Sequence, residues 1–428
     1  MDISVIGTGY VGLSVSAALA SQGHEVTCVD RDREKVGQVR AGECPVHEED
    51  LEKLVSETVS SGKLDATMDT AEAVRNSEVT FLSVGTPTEG GEIDTSQIQE
   101  AAEEAAEGLE DDYHLFVVKS TVIPGTTRDE VIPAIESVSG KTVGDDFGVC
   151  MNPEFLRQGS ALEDFQDPDR VVIGEYDKRS GDELASVYDG IDDPVVRASL
   201  EEAEMIKYAS NSLLATKISF INEIGNLCKE LGIDVYRVAD CVGMDERLER
   251  DFLDSGVGFG GSCFPKDVRA LVFFMDEKGT EPELLKSVLS VNQDQRRRII
   301  ELLEDRIGPL DGKKVAVLGL SFKPGTDDVR NAPAIDIIQE LKDSGVEVAA
   351  YDPEAMENMK QHHPGIDYTE SYQEALEDAD GALLLTEWPE FDGISRGDLK
   401  LMENPVLLEG RKTDHDLPEE LREGITWP

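Results

Sequence analysis

Directly after the short apolar run Ile3-Ser4-Val5-Ile6 stand six residues, Gly7-Thr8-Gly9-Tyr10-Val11-Gly12. No other feature constrains the fold as much. The run reads as a buried parallel strand, and the glycines as the turn that starts a small-residue helix over Leu13 to Ala20. The first glycine permits the tight turn, the second lets backbone approach a pyrophosphate, and the third lets helix pack on strand. The helix start then offers free N–H groups and a positive dipole end to phosphate. Glu25-Val26-Thr27-Cys28-Val29-Asp30 reads as the second strand. Asp30 lies 18 residues after Gly12, where a carboxylate can bind ribose hydroxyls and repel a 2′-phosphate. The expected cofactor is therefore NAD, although the neighbouring Arg31 could tolerate a phosphate.

A second motif suggests covalent chemistry. Gly258-Phe259-Gly260-Gly261-Ser262-Cys263-Phe264-Pro265-Lys266-Asp267 holds a cysteine among small residues, with a lysine and a carboxylate just beyond. That suits capture of a carbonyl by a thiol. A glycine-rich turn around a buried structural cysteine is the plainer alternative, since free cysteine is often a small core residue.

The 428 residues are enough for two or three domains. No apolar run of membrane-spanning length appears, and the first strand begins too early to leave room for a signal peptide, so a cytoplasmic protein is expected. The six cysteines, Cys28, Cys44, Cys150, Cys228, Cys241 and Cys263, show no CxxC pairing. Neither a disulfide framework nor a metal site is expected from them. The 90 acidic residues outweigh 40 basic ones, for a net charge of −50, which makes nucleic acid and anionic membranes poor partners. The acids are spread along otherwise amphipathic segments, so the pattern suits a halophilic protein rather than a disordered tail.

An internal echo outlines the architecture. Val315-Ala316-Val317-Leu318-Gly319 repeats the first strand and its glycine, and Val346 to Asp352 repeats the second strand and its acid. Ala332 to Ser344 between them reads as an amphipathic helix closed by Gly345. The second copy lacks the spaced glycines and has a longer loop, Ser321 to Arg330, so it is a nucleotide-binding relative rather than a second dinucleotide site. Helical patterns over Glu201 to Leu231 and Pro282 to Ile307 fill the middle. The fold class expected is α/β: two Rossmann-like doubly wound domains joined by a central helical domain. The boundaries are placed at 1–193, 194–308 and 309–428, with linkers near Asp192-Asp193-Pro194 and Gly308 to Gly312.

With these motifs in order, the chain resembles the nucleotide-sugar 6-dehydrogenases, most closely the UDP-glucose 6-dehydrogenases. The likeness runs from Met1 to about Arg411. It is carried by Gly7 to Leu13, Val84-Gly85-Thr86-Pro87, Lys119-Ser120-Thr121-Val122, Asn152-Pro153-Glu154-Phe155-Leu156-Arg157, Glu204-Met205-Ile206-Lys207-Tyr208-Ala209-Ser210-Asn211, Gly258 to Asp267, and Gly319 to Arg330. It implies a cytoplasmic homodimer that oxidises UDP-glucose at C6 to UDP-glucuronate with two NAD⁺. Cys263 would carry a thiohemiacetal and then a thioester, Lys207 would stabilise an oxyanion, and Asp267 would move protons through water. Thr121 and Glu154 would hold the hydrolytic water, and Asn211 would orient the substrate oxygen.

The resemblance also implies cofactor contacts at Gly7, Gly9, Tyr10, Val11, Gly12, Asp30, Lys35, Thr86, Thr121, Glu154, Lys266 and Arg330. Substrate contacts fall on Phe155, Leu156, Lys207, Asn211, Arg247, Gly260, Lys323 and Arg411, with Arg247 reaching across the dimer. No metal is implied. Plainer readings stay open at this stage. Lys207 and Arg411 could be surface charges, Glu154 an N-cap, Thr121 a backbone partner, and Asp267 a cap for a helix starting near Val268. Gln158 departs from the family, which commonly has a second glutamate there, and an amide cannot accept a proton at neutral pH. Other hexose nucleotides, GDP-mannose or a UDP-N-acetylhexosamine, are the near alternatives. An NAD-binding regulator without turnover, or a two-domain hydroxyacid dehydrogenase, would need neither Cys263 nor its neighbours.

The charge generates a direct test. Screening reaches only about 3 Å at 1 M salt but about 10 Å at 0.1 M, where carboxylates repel across the surface. Activity and melting temperature should both fall on dilution from molar salt to 0.1 M; a protein indifferent to that change would contradict the halophilic reading.

Overall fold

The computed structural model describes residues 1–46, 48–159, 161–190 and 193–427. It divides into two compact units, Met1–Ser210 and Asn211–Pro428. The expected linker residue Asp192 lies outside the described residues.

The first unit is built on an eight-stranded sheet. Its strands run, in spatial order, Val195–Ser199, Val171–Glu175, Phe147–Met151, His114–Val118, Val79–Leu82, Asp2–Ile6, Glu25–Val29 and Leu64–Thr67. All neighbours are parallel except the pair Phe147–Met151 and Val171–Glu175. Central strands such as Val79–Leu82 and His114–Val118 are buried at every position, as near-continuous apolar runs must be when helices cover both faces. One face packs Leu13, Leu19, Leu51 and Val55 on Ile3, Val5 and Leu115. The other packs Ile98, Ala102, Ala105 and Ile135 on Ile6, Leu82, Phe116 and Phe147. The chain reverses its direction of winding between Asp2–Ile6 and Val79–Leu82, and the crevice at the carboxyl ends of such strands is where ligands bind in open α/β sheets.

The second unit carries an all-parallel six-stranded sheet: Asp367–Tyr368, Glu347–Tyr351, Lys314–Leu318, Gly381–Leu384, Leu407–Glu409 and Arg422–Gly424. Ile337, Ile338 and Leu341, with Ile299 and Leu303, cover one face. Tyr372, Leu376, Trp388, Phe391 and Leu399 cover the other. The fold is thus α/β, with two Rossmann-like doubly wound sheets joined by a central helical domain.

The helices expected at Glu201 to Leu231 and Pro282 to Ile307 are Leu200–Leu231 and Glu283–Ile307. Val235–Gly243 and Phe264–Glu277 lie between them. The expected amphipathic helix at 332–344 is Pro333–Asp343, and Gly345 follows it in the left-handed region at φ +81°. The first helix runs Tyr10–Ser21, starting earlier than the apolar pattern suggested because Tyr10 and Val11 already belong to its first turn.

Asp352, the echo of Asp30, has a different fate. Its fully buried carboxylate accepts from the N–H groups of Leu320, Ser321, Glu354 and Ala355 and from Trp388 Nε1. Its bonding capacity is spent on the turn, which agrees with reading this copy as something other than a second dinucleotide site.

Candidate active site

In the first unit, Gly9 is the N-cap of the helix Tyr10–Ser21, with no side chain capping it. No cap side chain therefore competes for the first N–H groups of the helix. Gly7 has φ +103°, and a Cβ there would sit 2.3 Å from Ser83 O. A Cβ on Gly12 would sit 1.9 Å from Gly7 O, whereas one on Gly9 would meet nothing within 4 Å. Two glycines thus close the turn and the third leaves an open approach. These residues fit a dinucleotide pyrophosphate.

Asp30 lies at the end of the next strand, half-buried. Its Oδ2 accepts from Thr8 N at 2.9 Å and Thr8 Oγ1 at 2.5 Å, and Oδ1 accepts from Asp32 N at 2.9 Å. Burial opposes ionisation, but those bonds and the Lys35 charge outweigh it and hold the carboxyl below its ordinary range. Arg31 is exposed, 4.0 Å from Glu100, in an ion pair of its own.

A second cluster lies deeper in the same unit. Lys207 Nζ is 3.0 Å from Glu154 Oε1, with both side chains buried. Lys207 is therefore not a solvated surface charge, because its helix turns it into the unit. Glu154 accepts from Leu156 N at 2.7 Å instead of capping a helix. Phe155 sits beneath the ammonium, its ring centre 5.4 Å from Lys207 Nζ. Buried Thr86 donates to Thr121 O at 2.8 Å, which joins the two threonine loops. Gln158 is half-buried in the turn that follows.

Sequence reading missed three residues here. Lys119 donates to Asn152 Oδ1 at 2.8 Å, and the same oxygen accepts from Tyr188 at 2.5 Å. Burial pulls the Lys119 ammonium down to about 7, against the attraction of Glu154. Glu204, one turn before Lys207, accepts from Gly125 N at 2.6 Å and Thr127 N at 2.9 Å, and burial raises it to about 7. Lys119, Asn152 and Glu204 all lay within recognised motifs. Only Lys119 carries a local signal, a charge directly after the apolar run Leu115 to Val118.

In the second unit, Cys263 is the exposed N-cap residue of Phe264–Glu277, with Pro265 in the first turn. Its thiol stands at the positive end of the helix dipole, where an anion is favoured. The expectation of a helix starting near Val268 is corrected: proline is at home in a first turn, so the helix begins four residues earlier. Asp267 is consequently inside that turn and caps nothing. It is 1% exposed, accepts from Asn211 Nδ2 at 2.6 Å, and has Lys266 Nζ 2.8 Å from Oδ1. Asn211 lies one turn after Lys207 on the helix Leu200–Leu231.

The segment before Cys263 is fastened by side chains. Tyr236 donates to Ser255 O, Asn222 accepts from Gly256 N, and Gln295 donates to Gly256 O. Asn292 bonds both the N–H and the carbonyl of Phe259. Arg411 is not a surface charge: its side chain is 16% exposed, donates to Gly258 O, and lies 3.7 Å from Glu387. A Cβ on Gly260 would sit 2.6 Å from Asn331 O. Lys323 lies 5.7 Å from the Phe322 ring centre. Arg330 pairs with Asp328, and Arg247, 86% exposed, pairs with Asp245. Among the described residues no cluster of His, Cys, Asp or Glu is placed to hold a metal.

The glycine turn, the ionised acid and the buried lysine–carboxylate pair define a nicotinamide-dependent dehydrogenase. Models of the UDP-glucose/GDP-mannose dehydrogenase family match the chain in three stretches: the NAD binding domain at residues 1–192, the central domain at 201–294 and the UDP binding domain at 316–414. UDP-glucose 6-dehydrogenase AglM of Haloferax volcanii is 44% identical over 96% of this chain and 97% of its own. A GDP-mannose 6-dehydrogenase of Pseudomonas syringae is 41% identical over 87% and 85%. The solved UDP-glucose dehydrogenase of Pyrobaculum islandicum superposes with a TM-score of 0.93 at 40% identity, covering 100% of this chain and 98% of that one. The chain belongs to the UDP-glucose/GDP-mannose dehydrogenase family, and its cofactor is NAD.

The held carboxylate of Asp30 sets a test of cofactor choice. NAD⁺ should be used with clearly higher kcat/KM than NADP⁺, and Asp30→Ser should narrow that ratio by about tenfold, or about 1.4 kcal/mol. Equal efficiency of the two cofactors in the unsubstituted protein would contradict the role given to Asp30.

Proposed function

We propose that the protein is a UDP-glucose 6-dehydrogenase. UDP-glucose, two NAD⁺ and one water give UDP-glucuronate, two NADH and three protons. Bound NAD supplies the hydride acceptor for each of the two oxidations at C6. The chain's own residues do the rest. Cys263 adds as a thiolate to the C6 aldehyde, forming a C–S bond, and the carbonyl oxygen takes up a proton. Oxidation of that thiohemiacetal leaves a thioester. Water attacks the thioester carbon, the C–S bond breaks, and the thiolate is regenerated. A thiol suits both steps, because its thiolate is a stronger nucleophile than a hydroxyl and its thioester is a better acyl donor than an oxygen ester.

Lys207 stabilises the oxyanion at C6, as a positioned cation does most effectively away from water. Asn211 orients the reacting oxygen, and Asp267 passes protons through water. Thr121 and Glu154 hold the hydrolytic water. Since Gln158 cannot serve as a base, Glu154 and Asp267 carry that load. The NAD contacts are Gly7, Gly9, Tyr10, Val11, Gly12, Asp30, Lys35, Thr86, Thr121, Glu154, Lys266 and Arg330. The sugar nucleotide is held by Phe155, Leu156, Lys207, Asn211, Arg247, Gly260, Lys323 and Arg411.

The observation that carries the reading is the placement of Cys263, an exposed thiol at a helix N-cap with a buried carboxylate one turn later. The likeness to UDP-glucose 6-dehydrogenases along nearly the whole chain supports the substrate. A GDP-mannose enzyme is the second reading, favoured by 41% identity to such a relative over most of the chain. NADH release across a panel of sugar nucleotides separates the two.

The three-domain division at 1–193, 194–308 and 309–428 is supported by the three matched stretches. A homodimer through the long helix is supported by exposed Leu213, Phe220 and Leu227, seven residues apart on it. A reducing cytoplasm suits six free thiols, and a halophilic setting suits the net charge of −50.

Cys263→Ser should give a burst of NADH, then stall, with substrate-derived mass on the peptide containing residue 263. Binding of NAD⁺ should stay near normal, since serine is nearly isosteric and the cofactor residues are untouched. Steady release of two NADH per sugar by this variant would remove Cys263 from the mechanism.

A further inference from the structure

Resting on the reading of Cys263 as the nucleophile, we propose that Asn292 is a positioning residue that sets where the Cys263 thiol stands, and that the second oxidation depends on it far more than the first. Residues 255–261 are buried without exception, yet they belong to no strand or helix. Buried N–H and C=O groups need partners, so the segment's position is decided by whatever supplies them. Asn292 supplies two at one residue. Its Oδ1 accepts from Phe259 N at 2.6 Å and its Nδ2 donates to Phe259 O at 3.1 Å. A side-chain amide thus stands in for a neighbouring strand, four residues before the thiol.

The approach is close enough to dictate the preceding residue. Gly258 has φ +91°, and a Cβ there would fall 2.4 Å from Asn292 Oδ1. Arg296, one turn further along the same helix, adds a bond from Nη2 to Phe259 O at 3.2 Å while Nη1 pairs with Asp336. Both side chains are about 95% buried. Water therefore cannot take over either bond without opening the core.

The first hydride transfer, from alcohol to aldehyde, needs no thiol; capture of the aldehyde does. Displacing a reacting group by about 1 Å costs on the order of 100-fold. For Asn292→Ala, stopped-flow absorbance should show the first NADH formed within about threefold of the unsubstituted rate. The second should be slowed by about 100-fold, with the aldehyde trapped by an aminooxy probe. A structural defect alone would lower both rates together with the melting temperature. Should the alanine variant not fold, Asn292→Ser keeps one hydroxyl for one of the two bonds and should slow the second step less, still leaving the first intact.

An unchanged second rate, or equal loss in both steps, would overturn the proposal. Cys263→Ser run alongside separates the two levels. If it stalls while Asn292→Ala behaves as the parent, only the proposal fails. If it still yields two NADH per sugar, the nucleophile reading fails and the proposal with it.

Discussion

A buried backbone segment must find a partner for each of its polar groups, and this requirement governs the cysteine loop and much around it. Ser255 to Gly261 has no ladder to join, so the helices on either side surrender apolar positions to polar side chains. Asn222, Asn292, Gln295 and Arg296 occupy places where leucine or isoleucine would pack. The third domain contributes as well: Gly410 O accepts from Val257 N, Arg330 O accepts from Gly261 N, and Arg411 donates to Gly258 O. Leaving such a group unpaired costs about 1–3 kcal/mol, so the loop is held by bonds that are each expensive to break. A glycine-rich stretch, which would be mobile in isolation, becomes a fixed platform for a thiol.

The same economy appears in the first unit with charges. Lys207 and Glu154 are buried as a pair, and Glu204 is buried against two backbone N–H groups. Lys119 is buried against an amide oxygen, and burial pulls its ammonium down to about 7. A charge taken out of water needs a compensating partner, and for both Lys119 and Glu204 burial outweighs the partners and moves each toward its neutral form. The dinucleotide turn shows the complementary principle. There the helix N–H groups are left without a side-chain cap, and the ionised Asp30 is held by Thr8, so the polar groups are arranged for a partner from outside.

Features written into consecutive residues were the most legible in the sequence. The strand, turn and helix from Asp2 to Ser21, the echo at Lys314 to Tyr351 and the long helices were all readable from periodicity and glycine placement. What depended on distant residues was less so. The helix at Cys263 starts at Phe264 because Pro265 fits a first turn, and that moves Asp267 from a cap into a buried bond with Asn211. For Arg411 a surface charge stays open beside a substrate contact in the sequence, because nothing local shows that Gly258 O comes to meet it. Asn292, Gln295 and Arg296 left one visible trace. They are polar residues on the face of Glu283–Ile307 that also carries Val288 and Ile299, a break in amphipathic pattern that periodicity alone treats as noise.

A four-electron oxidation of one bound sugar nucleotide leaves a countable signature. Its most direct test is stoichiometric: limiting UDP-glucose with excess NAD⁺ in molar salt, with NADH counted by absorbance and the sugar product by mass. Two NADH for each UDP-glucose consumed, with UDP-glucuronate as the product, is the expected result. One NADH per sugar with an aldehyde product, or no NADH from UDP-glucose while GDP-mannose yields two, would contradict it.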